Sequence, residues 1–254
     1  MARRQREGPA TEVLPRAIGR PRASGARAGE RSPRDEIVAA ATRLFAERGF
    51  AQTTMSEIAR AAGLQQSSLY YWFKRKELIL QATFAVNRVP LEFIERIGAG
   101  SGSPGLKLYR LARFDTRQLC LSPCDVNEVE RLASQQPDVF TDYWRDRQRL
   151  HNWVATLVRA GIDEGQFIEV DPELAALGLL SFNEGVQNWF RYQDLHQPGT
   201  GSRFAHPPYD ADEVAHFLAS TALRALLRRP SELRHLQAEA AGLDDFGTAG
   251  ASPA

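Results

Sequence analysis

Apolar positions along this chain recur at three and four, the spacing that gathers side chains onto one face of a helix. Over residues 34–48, Ile37, Ala40, Ala41, Leu44 and Phe45 form one such stripe, and Gly49 stands where a left-handed cap would close the helix. Thr54 with Glu57 three residues later is a capping box, so a second helix should start there, turning Met55, Ile58, Ala59 and Ala62 inward. Gly63 permits a sharp turn and Leu64 can plug the space beneath it. A third short helix over 66–73 then offers Leu69 and Phe73 to the same core. A further helical segment runs to about residue 97. The stretch 98–105 (Gly-Ala-Gly-Ser-Gly-Ser-Pro-Gly) reads as a flexible linker; no strand precedes it, and it lacks the Lys-Ser/Thr of a phosphate loop.

From residue 106 the pattern is helical almost throughout. Leu106, Tyr109, Leu111 and Phe114 mark one helix; Trp153, Val154, Leu157, Val158 and Ile162 mark another, punctuated by Gly161 and Gly165. Asp171-Pro172 starts a helix, apolar around much of its circumference, that should reach about residue 192. A Pro- and Gly-rich loop over 197–209 separates it from a last apolar helix over 211–227, which Pro230 stops; the tail beyond about residue 243 reads as disordered. No strand pattern and no internal repeat is present. The expectation is an all-α fold, with an N-terminal three-helix helix-turn-helix DNA-binding domain followed by a larger helical domain for ligand binding and dimerisation. The boundaries are a basic arm at 1–33, the helix-turn-helix at 34–79, the effector and dimerisation domain at 80–229, and a C-terminal tail at 230–254.

Charge changes the picture more than composition does. The net charge of +1 conceals an asymmetry. Residues 1–34 hold nine Arg and three Glu, a net of +6, so the other 220 residues carry −5 (1 − 6). One basic end on an otherwise mildly acidic chain suits a protein that presents that end to a polyanion. Within the arm, Gly19-Arg20-Pro21-Arg22 can lie extended in an A·T-rich minor groove, Arg20 and Arg22 being the contacts. Ile18 stands where a basic residue would complete an AT-hook, and a generic arginine-rich arm that adds non-specific affinity is the plainer reading. Cys120 and Cys124 are too few for a disulfide framework or a zinc site and read as free thiols. The apolar run 174–182 is too short to span a bilayer, and no apolar core follows the N-terminal charges, so a cytoplasmic protein is expected.

Two short helices joined at a glycine turn and braced by a first helix make a helix-turn-helix. Its third helix must enter a major groove about 12 Å wide, so the exposed face needs hydrogen-bonding side chains. Gln65 and Gln66 can read an adenine edge bidentately. Thr54, Tyr71 and Lys76 are placed to meet phosphates, and Lys74, Arg75 and Lys76 follow with no anion among them.

The run from Thr53 to Ile79 (TTMSEIARAAGLQQSSLYYWFKRKELI), together with the preceding Leu44-Phe45-Ala-Glu-Arg-Gly-Phe50, resembles the DNA-binding signature of the TetR family of transcription regulators. The resemblance is close over about 46 residues; the rest matches in layout only. It implies phosphate contacts at Thr54, Tyr71 and Lys76, and contacts to bases or nearby backbone at Gln65, Gln66, Ser67 and Trp72; Tyr70 joins this DNA-facing set. The sequence departs from the family pattern at Gln65, Ser67 and Trp72, which leaves the operator open. The resemblance also implies a homodimer on a palindromic operator and release by a small-molecule effector. The segment from Glu130 through Trp153 to Phe167 is further similar to members answering acyl-CoA or steroid-derived thioesters, with Arg145, Arg147 and Arg149 as cations for their phosphates.

Paired half-sites about 34–36 Å apart demand two heads, hence a dimer. The last two apolar helices are its candidates, with Trp189, Phe190, Phe217 and Leu218 as contacts. For the effector pocket the candidates are Phe114, Tyr143, Trp144, His151, Phe182 and Asn183, an aromatic lining with a few polar groups; taken singly, each aromatic reads rather as core filling. No nucleophile elbow, zinc-protease motif or dinucleotide fingerprint is present, so an enzyme is not expected, and neither is a cofactor or a metal. A non-specific architectural DNA-binding protein is another reading, which specificity over random DNA separates from a regulator; an activator rather than a repressor is a third.

Overall fold

The structure is a computed structural model that describes residues 32–83, 88–122, 125–190, 209–243 and 245. Every regular element among them is helical, and the sole β-type pairing is an isolated bridge between Phe167 and Leu227.

The head consists of α1 (Pro33–Gln52), α2 (Met55–Ala61) and α3 (Gln66–Trp72). Ser32 caps α1 by accepting from the Asp35 amide at 3.2 Å, and Pro33 occupies the first turn, where no N–H is needed. The helix is interrupted at Gly49 (φ 78°, ψ 162°), so the expected end lies one turn inside the observed one. Thr54 and Glu57 form the anticipated capping box: Thr54 Oγ1 accepts from the Glu57 amide at 3.2 Å, and Glu57 Oε2 accepts from the Thr54 amide at 2.9 Å. Gly63 adopts φ 68°, a left-handed conformation that a Cβ would strain. Ile37, Ala41, Phe45, Phe50, Ile58, Leu69 and Phe73 close the head's core.

The body contains α4 (Lys76–Thr83), α5 (Arg88–Gly98), α6 (Pro104–Leu121), α7 (Val126–Gln135), α8 (Thr141–Asp163), α9 (Pro172–Glu184), α10 (Ala211–Leu226) and α11 (Leu233–Ala241). Helix α6 runs through its centre and packs on α10, α11, α8, α9 and α5. The supposed linker is shorter than its composition suggests. Ser103 caps α6, and the Gly105 amide donates to Gln166 Oε1 at 2.7 Å. Beyond α8 the chain hooks back so that Phe167 sits fully buried. A Cβ at Gly161 would lie 2.2 Å from the Phe167 ring, so glycine alone fits there. The apolar helix after Pro172 ends at Glu184, and a single 3₁₀ turn, Gly185–Asn188, follows it.

The C-terminal region needs a correction. Helix α10 ends at Leu226, ahead of Pro230, where Leu227 turns extended and pairs with Phe167, and residues 233–241 form a further helix whose Leu233, Leu236 and Ala240 enter the main core. Asp245 is buried beneath Arg110, whose Nε donates to both carboxylate oxygens at 2.9 Å. Three apolar positions are too few to announce a helix in isolation, and packing on α6 is what stabilises it.

Candidate nucleic-acid interface

Helix α3 turns Leu69 and Phe73 into the head's core and leaves Gln65, Gln66, Ser67, Ser68, Tyr70, Tyr71 and Trp72 exposed. Tyr71 is 75% exposed and meets Trp72 edge-on, with ring centroids 5.4 Å apart. Gln65 is the N-cap residue of α3, yet its side chain makes no cap hydrogen bond, so its amide stays available. The structure therefore brings seven of the eight expected DNA contacts, Thr54, Gln65, Gln66, Ser67, Tyr70, Tyr71 and Trp72, to the surface of one small unit.

Lys76 differs. Its Nζ donates to the Phe50 carbonyl at 2.5 Å and the Thr53 carbonyl at 2.7 Å, and lies 4.2 Å from the centre of the Phe50 ring. The lysine thus closes the C-terminus of α1, where unpaired carbonyls gather. Burial lowers its pKa, opposed by the carboxylates of Glu77, Glu128 and Glu57. Thr54 is committed too, since its hydroxyl donates to Glu57 Oε2 at 2.8 Å; that bond and the Thr54 amide hold the Glu57 pKa down. Arg20 and Arg22 lie outside the described residues.

The head's core continues into the body. Val129, Leu132 and Ala133 of α7, Phe140, and Tyr143 of α8 pack in the same cluster as Ile37, Leu69 and Ile79, and the Phe50 amide donates to Glu128 Oε2 at 3.4 Å. A cleft of about 180 Å³ opens along this seam, with Leu78 and Ala82 of α4 facing Val129, Phe140 and Tyr143, and Arg34 and Arg88 on its walls.

The six effector-pocket candidates lie in different surroundings. Phe114 stacks on Phe93 in the body core, centroids 4.0 Å apart. Tyr143 and Trp144 belong to the seam, where Trp144 Nε1 donates to the Ala133 carbonyl at 3.2 Å. His151 lies against Glu173, and Phe182 is exposed. Asn183 is buried and donates to Asp115 Oδ2 at 3.2 Å. Periodicity marked these residues as inward or polar, but which of them meet depends on how α6, α8 and α9 cross.

Asp115, the partner of Asn183, is the more informative group. Its carboxyl is completely buried, and burial pushes its pKa up to about 7; the Asn183 hydrogen bond and Arg147 lower it, and Glu184 raises it. Among the described residues, Asn183 Oδ1 and Thr116 Oγ1 are buried without a hydrogen-bond partner. Nearby, Arg147 clasps Glu184 at 2.5 and 2.9 Å and reaches Glu130 at 3.4 Å. Arg145 pairs with Asp142 at 2.9 Å, and Arg149 with Glu95 at 3.1 Å. The three arginines suggested for thioester phosphates are thus engaged in ion pairs.

The dimer candidates also divide. Leu218 is buried, and Trp189 and Phe190 pack half-buried against it, Leu119 and Val186 within the chain. Phe217 is 65% exposed, and Leu174, Leu177 and Phe182 of α9 are exposed as well. These four are the exposed large apolar residues of the two helices. Cys120 is buried, which pushes its thiol up to about 12; Cys124 lies outside the described residues. No helix among the described residues is long and apolar enough to cross a membrane, and no group of three metal-ligating side chains occurs among them.

Comparison with known proteins agrees with this geometry. The family model for bacterial regulatory proteins, tetR family, matches residues 37–83, and that for the tetracyclin repressor-like C-terminal domain matches residues 128–193. The transcriptional repressor KstR2 of Rhodococcus jostii is 42% identical over 169 residues, 64% of this chain and 82% of that protein. The solved ketosteroid transcriptional regulator KstR2 of Mycobacterium tuberculosis superposes with a TM-score of 0.59 at 22% identity, over 78% of this chain and 96% of that one. AibR, solved with isovaleryl coenzyme A and operator DNA, gives 0.56 at 19% identity, over 78% and 99%.

Proposed function

The chain belongs to the TetR family and is a DNA-binding transcriptional regulator; from that premise we propose that it is a dimeric repressor, released from a palindromic operator by a small hydrophobic effector. The observation that carries the DNA-binding part is the bare face of α3, which is rich in hydrogen-bonding side chains and free of core duty. The dimer is supported by the apolar residues left exposed on α9 and α10, Leu174, Leu177, Phe182 and Phe217, which a second copy would cover by isologous packing.

The effector proposal rests on the relatives and on the body's interior. One relative is named a ketosteroid regulator, and a structural neighbour was solved with isovaleryl coenzyme A. Buried Asn183 Oδ1 and Thr116 Oγ1, each without a partner among the described residues, would gain from a polar ligand group placed among apolar side chains such as Phe114. An effector that spreads α6 from α8 and α9 would move the α7–α8 wall of the seam, on which Ile79 and Leu80 of α4 pack, and so re-aim the head. A differential affinity of about 1–3 kcal/mol between the two states gives 5–150-fold release. The basic arm with Arg20 and Arg22 adds salt-dependent affinity, and a cytoplasmic location completes the reading.

The test is selection of bound duplexes from a random DNA pool at near-physiological salt, followed by sedimentation of the complex. One enriched palindrome, bound by two chains about 10³-fold or more tighter than random DNA, is the expected result. Retained binding without enrichment would assign the architectural role instead.

A further inference from the structure

The side chains exposed on α3 are chemically one-sided. Between residues 65 and 73 there are two carboxamides, two serines, two tyrosines, a tryptophan and two core residues, with no Arg, Lys, Asp or Glu. Base edges in the major groove demand particular groups: Arg or Lys to bond guanine O6 and N7 together, Asp or Glu to accept from cytosine N4, a carboxamide to bond adenine N6 and N7 together, and apolar surface to meet the thymine methyl. The reading face holds the adenine and thymine readers, together with the hydroxyls of Ser67 and Ser68, which favour no one base, and lacks the charged readers of guanine and cytosine. The carboxamides are uncommitted, since Gln65 makes no cap bond and both glutamines are exposed. Tyr71 is the most exposed aromatic of the described chain, held edge-on by Trp72, and Tyr70 lies beside it in sequence. Exposed cations flank the helix instead: Arg60 on α2, and Lys74 and Arg75 beyond its C-terminus, all suited to phosphates.

We propose that the recognition helix reads only A·T pairs, with Gln65 and Gln66 bonding adenine edges and Tyr70 and Tyr71 covering thymine methyl groups, which moves Tyr71 from the phosphate contact that the family resemblance implies to a base contact. The base-read core of each half-site is therefore A+T, whatever the composition of the flanks. This rests on the reading of the chain as an operator-specific regulator.

The experiment takes the full chain and the duplex enriched from a random pool. A·T pairs should occupy the positions contacted by α3, and exchange of one for G·C should weaken binding about 5- to 150-fold. On that duplex, 7-deazaadenine removes the N7 acceptor and deoxyuridine removes the thymine methyl without touching the protein. Each should weaken binding, deoxyuridine by about fourfold per covered methyl. The deazaadenine penalty should vanish in Gln65→Ala or Gln66→Ala, and the deoxyuridine penalty in Tyr70→Ala or Tyr71→Ala. G·C pairs at the contacted positions, or analogues bound as tightly as the natural bases, overturn the inference and leave the regulator standing. A pool that yields no enriched sequence overturns the regulator reading, and the inference with it.

Discussion

The head and the body are held together over different distances along the chain. In the head, the bonds that shape the turn join near neighbours: Thr54 to Glu57, Thr53 Oγ1 to the Gly49 carbonyl, the Gly63 amide to the Arg60 carbonyl. In the body, the defining bonds join residues far apart along the chain. Asn183 meets Asp115 across 68 positions, Gln166 meets Gly105 across 61, and Asp245 meets Arg110 across 135. The difference teaches why the head can be recognised from residue types at fixed spacing, whereas the body's contacts cannot be read off its sequence. Short-range bonds constrain particular residue types at fixed spacing; long-range packing accepts many sequences of equivalent volume.

The largest break in this comparison should come from the hook of the body. Phe167→Ala removes a fully buried ring from the α8 exit and should cost about 3–5 kcal/mol in denaturant unfolding. A cost under about 1 kcal/mol would show that the hook is not part of the body's core.

Next comes the buried carboxyl. Asp115 is raised to about 7 in the folded chain, against an ordinary value of 3.8. Below pH 4 both states hold the proton and the group costs nothing. Between pH 4 and 7 the unfolded chain releases its proton and the folded one keeps it, so stability falls as pH rises, and above pH 7 the whole cost is present. Asp115→Asn keeps an acceptor for Asn183 and should remove this fall, leaving the variant more stable at pH 8 by on the order of a few kcal/mol. Parallel stability profiles for the two proteins over pH 4–8 would contradict it.

Lys76 sharpens the boundary between structure and DNA contact. Lys76→Met removes the ammonium that bonds the Phe50 and Thr53 carbonyls, leaving Phe50 only its bond from the Thr53 amide, and should cost about 1–3 kcal/mol in stability, with no change in the salt dependence of DNA binding. A salt slope lowered by about 1, with stability intact, would return the lysine to the phosphates, as the family pattern implies.

The smallest effect is local. Thr54→Ala opens the capping box and should cost about 1 kcal/mol, felt in the head. Amide exchange should quicken in α2 and α3 and stay unchanged in α6 and α10; uniform acceleration would mean that the two regions open together.

Much of the head was legible because each of its signals closes within one turn of helix. The stripe from Ile37 to Phe45, the Thr54–Glu57 box, Gly63 and the inward pair Leu69 and Phe73 all fall where the spacing places them. In the body, helix existence was legible and helix partnership was not. Leu218 and Phe217 are adjacent and equally apolar, yet one is core and the other bare. Phe182 and Asn183 carry the same ambiguity on α9, and α11 went unannounced because its three core residues become a face only against α6.

The sequence by itself determined that this chain is helical, where its DNA-reading unit lies, and which side chains that unit shows to the outside. Tertiary structure alone decided that Lys76 caps α1, that Arg145, Arg147 and Arg149 are paired, and that Asp115 is sealed in with Asn183. The reason is physical: helical period, caps and turns are set by residues within about four positions, whereas burial, and with it every shifted charge and every bare patch, depends on which distant helix comes to lie alongside.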